Sequence, residues 1–595
     1  MTHKERFVIT EDLAALVRSA VLAAQNEGDF ATFEDDFQVS LEVPKNRLHG
    51  DFSSNIALTL KKATGLNDSR EIANRILKRL LTGDSLVTKV EIAGPGFMNF
   101  FLKPTWLQDE LVKIEAEDGR YGTTDIRAGE KILIEFVSAN PTGPISIVNG
   151  RAAALGDVLG NLLASQGCEV QREFYINDAL NSNQLELFAQ AANARYLQQL
   201  GHPIRFADGR IEPGEPRPGA TNELSTTNFP EDGYPGDYVK DIAKEIVAAA
   251  GAKYDDAPLE ERAPFFRKTT LQWMLNAQRT TLEAFGLKYD TWFYESSLYE
   301  SGEVERSIQT LKDRGFAYEK DGALWLKSTE FGDEKDRVLV RSNEKATYIA
   351  ADAAYHRNKF ERGATRLINI WGADHHGYVA RLKAGVAALG YDSNRLDIIL
   401  TQMVSLLRDG EALIGGKRKG VVIELKEDLI DEIGKDAARF YFLLSSYETP
   451  ATVDVELAKK QSNDNPVFYV QYAHARLCNI LRTAQERGIK LKPASETNRQ
   501  ALEHPAELDV MRKLSDYSQE VAFAAKEYAP HKLTRFAIEL ASLMNVFYEN
   551  CRALPQKDDP EESELTSPRL ALVNCARIVM RNLLGLLGVT APEKM

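Results

Sequence analysis

One stretch of the sequence constrains the fold more than any other, because it has the pattern of strand, turn, helix and strand in succession. The apolar run KILIEFV (131–137) precedes a turn rich in Asn, Pro and Gly. The helical run RAAALGDVLGNLLASQG (151–167) and the strand-like EVQREFYI (169–176) follow it. Strands joined in this way form a parallel βαβ unit. The stretch therefore predicts an α/β domain of the Rossmann type, built on a parallel sheet.

The remaining sequence divides around this unit. At 595 residues the chain is long enough for several domains. Residues 1–120 mix a helical opening with strand-like segments, such as FQVSLEVP and VTKVEIAGPGFMNFFL, and predict an α+β domain. Residues 121–458 hold the parallel-sheet domain, with an insertion at about 195–330 whose Pro- and Gly-rich start predicts an exposed connection. Residues 459–595 have helical periodicity almost throughout and predict an all-α bundle.

Composition excludes some classes of protein. With 73 basic and 87 acidic residues the net charge is -14, which argues against a protein that coats nucleic acid non-specifically. A reader of RNA with one local basic groove stays open. The four cysteines lie far apart, without the spacing of a zinc or redox motif. No signal peptide or membrane-spanning segment is evident, so we expect a cytoplasmic protein.

The turn after the first strand is a candidate phosphate site. Pro141, Gly143 and Pro144 shape an extended approach to a helix that we expect to begin near Gly150, where a glycine permits close contact. The amino terminus of a helix presents backbone N–H groups and a positive dipole end to an anion. The alternative is an ordinary βα turn of an α/β enzyme without a phosphate role.

A family resemblance adds to this interpretation. The segment SANPTGP, followed by a helix of the pattern G-R-small-small-x-G-D, is similar to the signature region of bacterial arginyl-tRNA synthetases, which are class I synthetases. Further similar segments follow in family order: EFYINDA (173–179), DGYPGDYV (232–239), YIAADAAYHRNKFERG (348–363), IWGADHHGY (370–378), KDAARFYFLL (435–444) and DNPVFYVQYAHAR (464–476). Together they span nearly the whole chain.

The resemblance implies a two-step reaction. L-Arginine attacks the α-phosphate of ATP, with Mg²⁺ as cofactor, to give arginyl-adenylate, and the arginyl group then moves to the 3' end of tRNA(Arg). It also implies an anticodon-binding role for the helical bundle, and we expect a monomer. Two alternatives stay open: a catalytically weakened synthetase-like protein that binds tRNA or arginine as a regulator, and a synthetase for another amino acid.

Two signature motifs depart from the family pattern. Where members carry LHVGHGR, this chain has ISIVNGR, so Ser146 and Asn149 stand in place of two phosphate-facing imidazoles and Val148 in place of a glycine. We expect both polar side chains to act as neutral donors in catalysis and ATP binding, and Val148 to displace the base slightly. The family's K-M-S-K-type loop is here Ile414-Gly-Gly-Lys-Arg-Lys-Gly420. The resemblance makes Lys417 the catalytic contact to the α-phosphate; in isolation such a run is a solvated basic turn.

The resemblance also assigns ligand contacts. For ATP these are Pro144, Ser146, Asn149, Gly150, His375, Gly416 and Lys417. For arginine they are Glu135, Asn140, Tyr348, Asp352 and His376. The i,i+4 spacing of Tyr348 and Asp352 places both on one helix face, and carboxylates match a guanidinium. Without the resemblance, a helix-surface carboxylate is the better interpretation of Asp352. The adjacent His375 and His376 lack a third ligand, so we expect no metal site there.

The tRNA contacts are assigned in the same way. Tyr472, His474 and Arg476 lie in the YAHAR segment, where an aromatic ring can stack on an anticodon base. Tyr472 is equally compatible with the core of a helical bundle. The amino-terminal domain, including HGDFSSN (49–55), resembles the domain with which the family contacts the tRNA elbow.

Overall fold

The fold was determined from a computed structural model of the 595-residue chain. The structure describes residues 8–44, 46–80, 86–179, 182–215, 225–413, 423–556 and 563–595. The sequence-assigned residues Gly416 and Lys417 lie outside these ranges. None of the helices in the described part of the chain combines the length and apolar character needed to cross a bilayer.

The amino-terminal unit packs helices on one small antiparallel sheet in the order β1-β3-β2. Its elements are α1 (Val8–Asn26), β1 (Phe52–Ser54), α2 (Ile56–Thr59), α3 (Lys61–Thr64), α4 (Ser69–Leu80), β2 (Val87–Ala93) and β3 (Phe97–Leu102). The predicted strands VTKVEIA and FMNFFL form, joined by a turn at Gly94–Gly96. The alternating FQVSLEVP does not form a strand of its own and makes only an isolated bridge between Glu42 and Ser53.

The central unit is a five-stranded, wholly parallel sheet in the order β14-β13-β4-β5-β9. Its strands are β4 (Lys131–Phe136), β5 (Glu169–Ile176), β9 (Thr291–Tyr294), β13 (Arg366–Gly372) and β14 (Leu396–Thr401). From β4 the chain builds outward in one direction to β5 and β9, then returns to add β13 and β14 on the other side. The strand order thus reverses between β4 and β13, the place where ligands bind in open α/β sheets.

Between β5 and β9 lies an inserted unit with its own core. It comprises α7 (Asn183–Gln199), a small sheet of β6 (Ile204–Arg205), β7 (Ile211–Glu212) and β8 (Thr227–Asn228), and the helices α8 (Asp237–Ala250) and α9 (Leu259–Ala284). Ile204 and Phe229 are buried in that core, although both lie in the segment predicted to be an exposed connection. The insertion expected at 195–330 therefore contains both a packed core and β9, a strand of the central sheet.

The second half of the central unit carries further helices and two small sheets. Its elements are α10 (Ser296–Glu300), α11 (Glu303–Asp313), β10 (Ala317–Lys320), β11 (Ala323–Leu326), β12 (Arg337–Val340), α12 (Tyr348–Glu361), α13 (Val379–Ala388), β15 (Val404–Arg408), β16 (Glu411–Leu413), α14 (Asp431–Phe442), β17 (Ala451–Asp454) and α15 (Val455–Lys459). A 3₁₀ turn (Ala373–Tyr378) follows β13 directly, and it brings His375 and His376 to the carboxyl edge of the sheet.

The carboxy-terminal unit is a helical bundle that contacts the central unit through α6 (Ile147–Ser165) and α14 and the amino-terminal unit through an ion pair between Arg512 and Asp51. It consists of α16 (Pro466–Glu486), α17 (Pro505–Lys526), α18 (His531–Asn550) and α19 (Thr566–Leu586), and the linking helix α5 (Thr105–Glu117) packs on it. Behind the sheet, the helix α6 follows β4. The fully buried Arg439 of α14 binds Asp157 of α6 at 2.5 Å and donates to the backbone carbonyl of Leu587, just after α19. The bundle is thereby tied to the helix that begins at the candidate phosphate site.

Candidate active site at the strand-order reversal

The turn that leaves β4 has an unusual backbone. Val137 and Ser138 have φ values of +71° and +38°. This region is unfavourable for residues with a Cβ, most of all for β-branched valine. Such a conformation costs on the order of 1–3 kcal/mol per residue and persists where the surroundings determine it. Ser138 is held on both sides, since its Oγ donates to Glu135 at 3.0 Å and accepts from the backbone N–H of Tyr175 at 3.1 Å.

The inserted helices hold the next part of the turn. Gln278 of α9, whose side chain is completely buried, donates from Nε2 to the backbone carbonyls of Asn140 (3.1 Å) and Gly143 (2.8 Å). Tyr238 of α8 donates to the carbonyl of Thr142 at 2.9 Å. Three backbone carbonyl oxygens of the turn therefore point toward the inserted helices and accept hydrogen bonds from them. The side chain of Asn140 is exposed beside them.

The helix after the turn begins at Ile147, three residues before the position expected from the sequence, because Ser146 caps it. Ser146 Oγ accepts from the backbone N–H of Asn149, while Asn149 Oδ1 accepts from both the backbone N–H (3.2 Å) and the hydroxyl (2.8 Å) of Ser146. This is a reciprocal capping box. The two side chains expected to donate to phosphate are thus engaged with each other, and the Nδ2 group of Asn149 has no hydrogen-bond partner among the residues that the structure describes.

The start of α6 also meets the chain that follows the glycine-basic loop. The N–H of Ile147 donates to the carbonyl of Ile423 at 3.1 Å, and the N–H of Leu425 donates to the carbonyl of Ile145 at 2.8 Å. A Cβ on Gly150 would lie 2.5 Å from a methyl carbon of Leu425, so this glycine is required by protein packing. The start of α6 is therefore paired with the described chain at Ile423–Leu425.

Two further residues of the signature helix are part of the protein interior. Val148 is half-buried and packs against the main core. Arg151 is buried and donates to the backbone carbonyls of Gln402 (3.1 Å) and Ser446 (2.8 Å). Burial lowers the pKa of this guanidinium. Arg151 therefore joins α6 to the β14–β15 connection, while Pro144 is half-buried at the end of the turn.

A group of carboxylates converges beside the turn, at the carboxyl ends of β5, β9 and β13. The carboxyl of Asp352 accepts a hydrogen bond from the hydroxyl of Tyr378, and burial raises its pKa to about 6. Burial and the neighbouring carboxylates of Asp352 and Asp178 raise the pKa of Glu295 to about 7. Glu295 is 3% exposed, and Asp178 is held by the N–H and hydroxyl of Ser296. Each of these carboxylates disfavours the charged form of its neighbours, and a bound cation would favour that form.

The sequence did not identify Glu295, because β9 is only four residues long and lies within the range expected to be an insertion. A signal existed, since TWFY is an aromatic, strand-forming run directly before the glutamate. Of the other residues assigned to arginine, Tyr348 is the first residue of α12 and is 66% exposed, one turn before Asp352. His375 and His376 are exposed on the 3₁₀ turn, and the ring of His375 lies 5.9 Å from that of Trp371.

Glu135 differs from the other carboxylates in having a buried cation as partner. Lys359 of α12, whose side chain is 0% exposed, donates to Glu135 Oε2 at 2.5 Å and to Asn369 Oδ1 at 3.2 Å. The second oxygen of Glu135 accepts from Ser138. Glu135 therefore lies beneath the turn as part of a paired network.

The residues assigned to tRNA divide into exposed and buried ones. Tyr472 is 38% exposed on α16, and the guanidinium of Arg476 lies over its ring at 5.4 Å and over the ring of Tyr548 at 4.2 Å. Tyr548, which the sequence did not single out, is 51% exposed on α18. His474 is 2% exposed, and its Nδ1 bonds to the carbonyl of Pro592 at 2.8 Å. Its side chain therefore holds the end of the chain against the bundle.

Comparisons with known proteins agree with this architecture. The arginyl-tRNA synthetase N-terminal domain model matches residues 10–102. The class I (R) catalytic domain model matches 239–449, and the DALR anticodon binding domain model matches 470–595. An arginine–tRNA ligase of Moorella thermoacetica is 46% identical over 584 residues and 98% of each chain.

The chain belongs to the arginyl-tRNA synthetase family.

Another relative supports the same family, and a solved structure supports the fold. An arginine–tRNA ligase of Heliobacterium modesticaldum is 46% identical over 560 residues, covering 93% of this chain and 94% of its own. The arginyl-tRNA synthetase of Thermus thermophilus has the same fold, with a TM-score of 0.69 and 21% identity over 98% of this chain and all of its own. The family resemblance is confirmed. So is the predicted combination of an α+β amino-terminal domain, a parallel-sheet catalytic domain and a helical anticodon-binding domain.

Proposed function

We propose that the protein is an arginine–tRNA ligase, which activates L-arginine with ATP and transfers it to the 3' end of tRNA(Arg). One observation carries the proposal beyond family membership: Asp352 and Glu295, both with raised pKa values, lie together at the carboxyl edge of the sheet. A guanidinium is the planar cation that carboxylates bind best, through paired charge-assisted hydrogen bonds. The amino acid and the nucleotide would then meet at the carboxyl edge of the sheet.

In this proposal arginine lies with its side chain toward α12. Asp352 and Glu295 accept from the guanidinium, and the exposed ring of Tyr348 closes over it. The polar ends of the amino acid lie near Asn140 and His376, with Glu135 beneath them. Support comes from the two raised pKa values, since a bound cation would offset the burial, and the repulsion between carboxylates, that raise them.

ATP in this proposal lies along the turn and the start of α6. Pro144 and Gly150 shape its surface, and His375, Gly416 and Lys417 complete the site as the family resemblance implies. Because Ser146 and Asn149 cap each other, we assign Asn149 Nδ2 as the phosphate donor and Ser146 as the residue that orients it. Charge that develops on the phosphates is stabilised by such fixed donors, with Lys417 supplying the positive charge.

Mg²⁺ enters this proposal together with ATP. Among the residues that the structure describes, no group of three or more His, Cys, Asp or Glu side chains is placed to hold a metal ion. Mg²⁺ commonly keeps several waters and binds through substrate phosphates with few protein ligands. The signature turn and α6 are therefore the elements of this chain that would receive the metal–nucleotide complex, and the metal would supply phosphate charge neutralisation.

The exposed face of the bundle around Tyr472, Arg476 and Tyr548 is the proposed anticodon contact. Two aromatic rings with a guanidinium between them offer stacking and cation–π surfaces to unpaired bases. His474 takes part indirectly, by fixing the end of the chain. We further propose domain limits of 1–120, 121–458 and 459–595, a monomer, and a cytoplasmic location, where charged tRNA is consumed.

Arginine-dependent exchange of pyrophosphate into ATP, measured with and without tRNA, tests the proposal. We expect exchange with arginine, and arginylation of tRNA by the same preparation. A protein that binds arginine or tRNA but supports no exchange in either condition would instead be the weakened, regulatory form. Exchange driven by a different amino acid would contradict the assigned specificity.

A further inference from the structure

A buried lysine beneath the pocket has no part in the chemistry described so far. Lys359 is completely buried, and its ammonium lies between the carboxylate of Glu135, the amide oxygen of Asn369 and the face of Tyr355, 4.1 Å from the ring centroid. Lysine is almost never fully buried unless it is paired. Its three contacts come from β4, β13 and its own helix, so the cation joins three elements of the catalytic domain.

On one side, Lys359 connects to the signature turn. Glu135 accepts from Lys359 with Oε2 and from Ser138 with Oε1, and Ser138 in turn accepts from the N–H of Tyr175. Ser138 is one of the two non-glycine residues with positive φ in the turn. A chain of hydrogen bonds therefore runs from the ammonium to the strained backbone that leads to Asn140.

On the other side, Lys359 shares a helix face with Asp352, seven residues earlier on α12. His356 lies between them; its Nε2 accepts from Asn369 Nδ2, so its Nδ1 carries the proton and donates to the backbone carbonyl of Asp352 at 2.7 Å. Burial, followed by the nearby charge of Lys359, lowers the pKa of His356. Because His356 is neutral, Lys359 supplies the positive charge at this end of the pocket.

We propose that Lys359 is a positioning residue of the substrate site: its ammonium fixes Glu135 and the turn, and it keeps the Asp352 carboxylate charged for the incoming guanidinium. This rests on the proposed function, because it takes arginine as the ligand of Asp352. Lys359 itself touches no substrate. It acts through Glu135 on the amino acid's polar end and through its charge on the guanidinium end.

The electrostatic part follows from the groups around Asp352. The titratable groups that face it are Tyr378 from the 3₁₀ turn, Glu135 from β4, Lys359 from α12, Glu295 and Tyr299 from the β9–α10 segment, and Tyr175 from β5. Burial raises the pKa of Asp352 and Tyr378 lowers it; Glu135 raises it and Lys359 lowers it. Glu135 and Lys359 thus act on Asp352 in opposite directions, so the two can be separated by substitution.

The test measures arginine binding to the full chain by calorimetry across pH 5–9, and it compares wild type with Lys359→Met, Glu135→Gln and the double variant. Arginine binding weakens as pH falls through the pKa of the carboxyls that hold it. Removal of Lys359 should move this midpoint to higher pH, since the lost ammonium no longer favours the charged form of Asp352. Glu135→Gln should move it to lower pH, and the double variant should return it close to the wild-type value.

Lys312→Met provides the matched control, because Lys312 is an exposed lysine on α11, the helix packed against α12. Its midpoint should equal that of wild type. Identical midpoints in all variants, with only a uniform loss of affinity, would overturn the proposal and leave Lys359 a purely structural residue. A shift in the Lys312 control as large as that in Lys359→Met would overturn it as well.

Lys359→Met leaves Glu135 buried without its cation and can fail to fold. The double variant leaves no unpaired buried charge, so its comparison with Glu135→Gln is then the deciding result: its midpoint should lie at higher pH, and equal midpoints refute the proposal. Binding is measured without turnover. Wild-type protein that binds arginine but shows no pyrophosphate exchange would defeat the proposed function while leaving the role of Lys359 to be decided by the midpoints.

Discussion

Replacement of Glu295 by glutamine should impair the use of arginine by an amount that depends on pH. Glu295 is 3% exposed, and burial together with Asp352 and Asp178 raises its pKa to about 7. The substitution keeps the shape of the side chain and removes its charge. The loss of a hydrogen bond between charged groups costs about 1.5–3 kcal/mol, which is roughly a 10- to 150-fold lower kcat/KM for arginine at pH 8.

The pH dependence gives this prediction its sharpest form. As pH falls below 7 the wild-type carboxylate takes up a proton and resembles the variant, so at pH 6 only about a tenth of it is charged. The ratio of wild-type to variant kcat/KM should therefore shrink about five- to tenfold between pH 8 and pH 6. The pH dependence of kcat/KM reports the pKa of Glu295 in the free enzyme. A bound guanidinium favours the charged carboxylate and so lowers this pKa. We therefore expect kcat at saturating arginine to remain constant to a lower pH than kcat/KM does.

The assay is arginine-dependent pyrophosphate exchange at several pH values. Glu300→Gln is the control, since Glu300 is an exposed glutamate at the end of α10, the short helix that begins directly after Glu295. The control should match wild type throughout. A Glu295→Gln defect that is equally large at pH 6 and pH 8 would refute the assignment, because it would mean that the carboxylate charge is not what binds arginine.

Three further predictions follow from buried contacts and from the exposed bundle face. Arg439→Met should lower the free energy of unfolding in urea by about 3–5 kcal/mol, because Asp157 loses a buried partner; a change below 1 kcal/mol would contradict this. Tyr548→Ala should raise the KM for tRNA about tenfold, through a lost stacking contact of 1–3 kcal/mol, while the KM for arginine stays constant; equal changes in both would argue against an anticodon role. Gln278→Leu should lower both kcat/KM for ATP and the melting temperature, because two carbonyls of the turn lose their buried donor. The control Gln272→Leu changes an exposed residue on the same helix and should alter neither quantity.

Much of the catalytic sheet is predictable because its strands are continuous apolar runs that end in turns. KILIEF and EVQREFYI form strands at the predicted places, and the helix between them lies one turn earlier than expected at its start. That difference has a local cause: Ser146 and Asn149 are three residues apart, the spacing of a capping box. The same contact explains why the Ser146 hydroxyl is not a free donor and why Asn149 offers only its Nδ2 group, which a comparison with imidazoles could not reveal.

Other features depend on contacts between distant parts of the chain. The alternation in FQVSLEVP resembles a strand, but of these residues only Glu42 forms a β-bridge. The aromatic run TWFY indicates a strand, but its place in the central sheet follows from the pairing of β9 with β5, and that pairing places Glu295 in the pocket. Glu135 and Lys359 are 224 residues apart. Local patterns predict each of their elements, but not that a buried lysine neutralises a carboxylate beneath the signature turn.

In the proposed site, carboxylates distinguish the positively charged guanidinium of arginine from a neutral group of the same shape. A comparison of arginine with citrulline in tRNA aminoacylation tests this most directly. Citrulline has nearly the same shape but carries a neutral urea group in place of the cation. Sites built to bind a polar group reject an analogue that lacks it by several orders of magnitude. We predict that wild-type protein attaches arginine to tRNA with a kcat/KM at least about a thousandfold above that for citrulline. Comparable use of the two, or no attachment of arginine at all, would contradict the account.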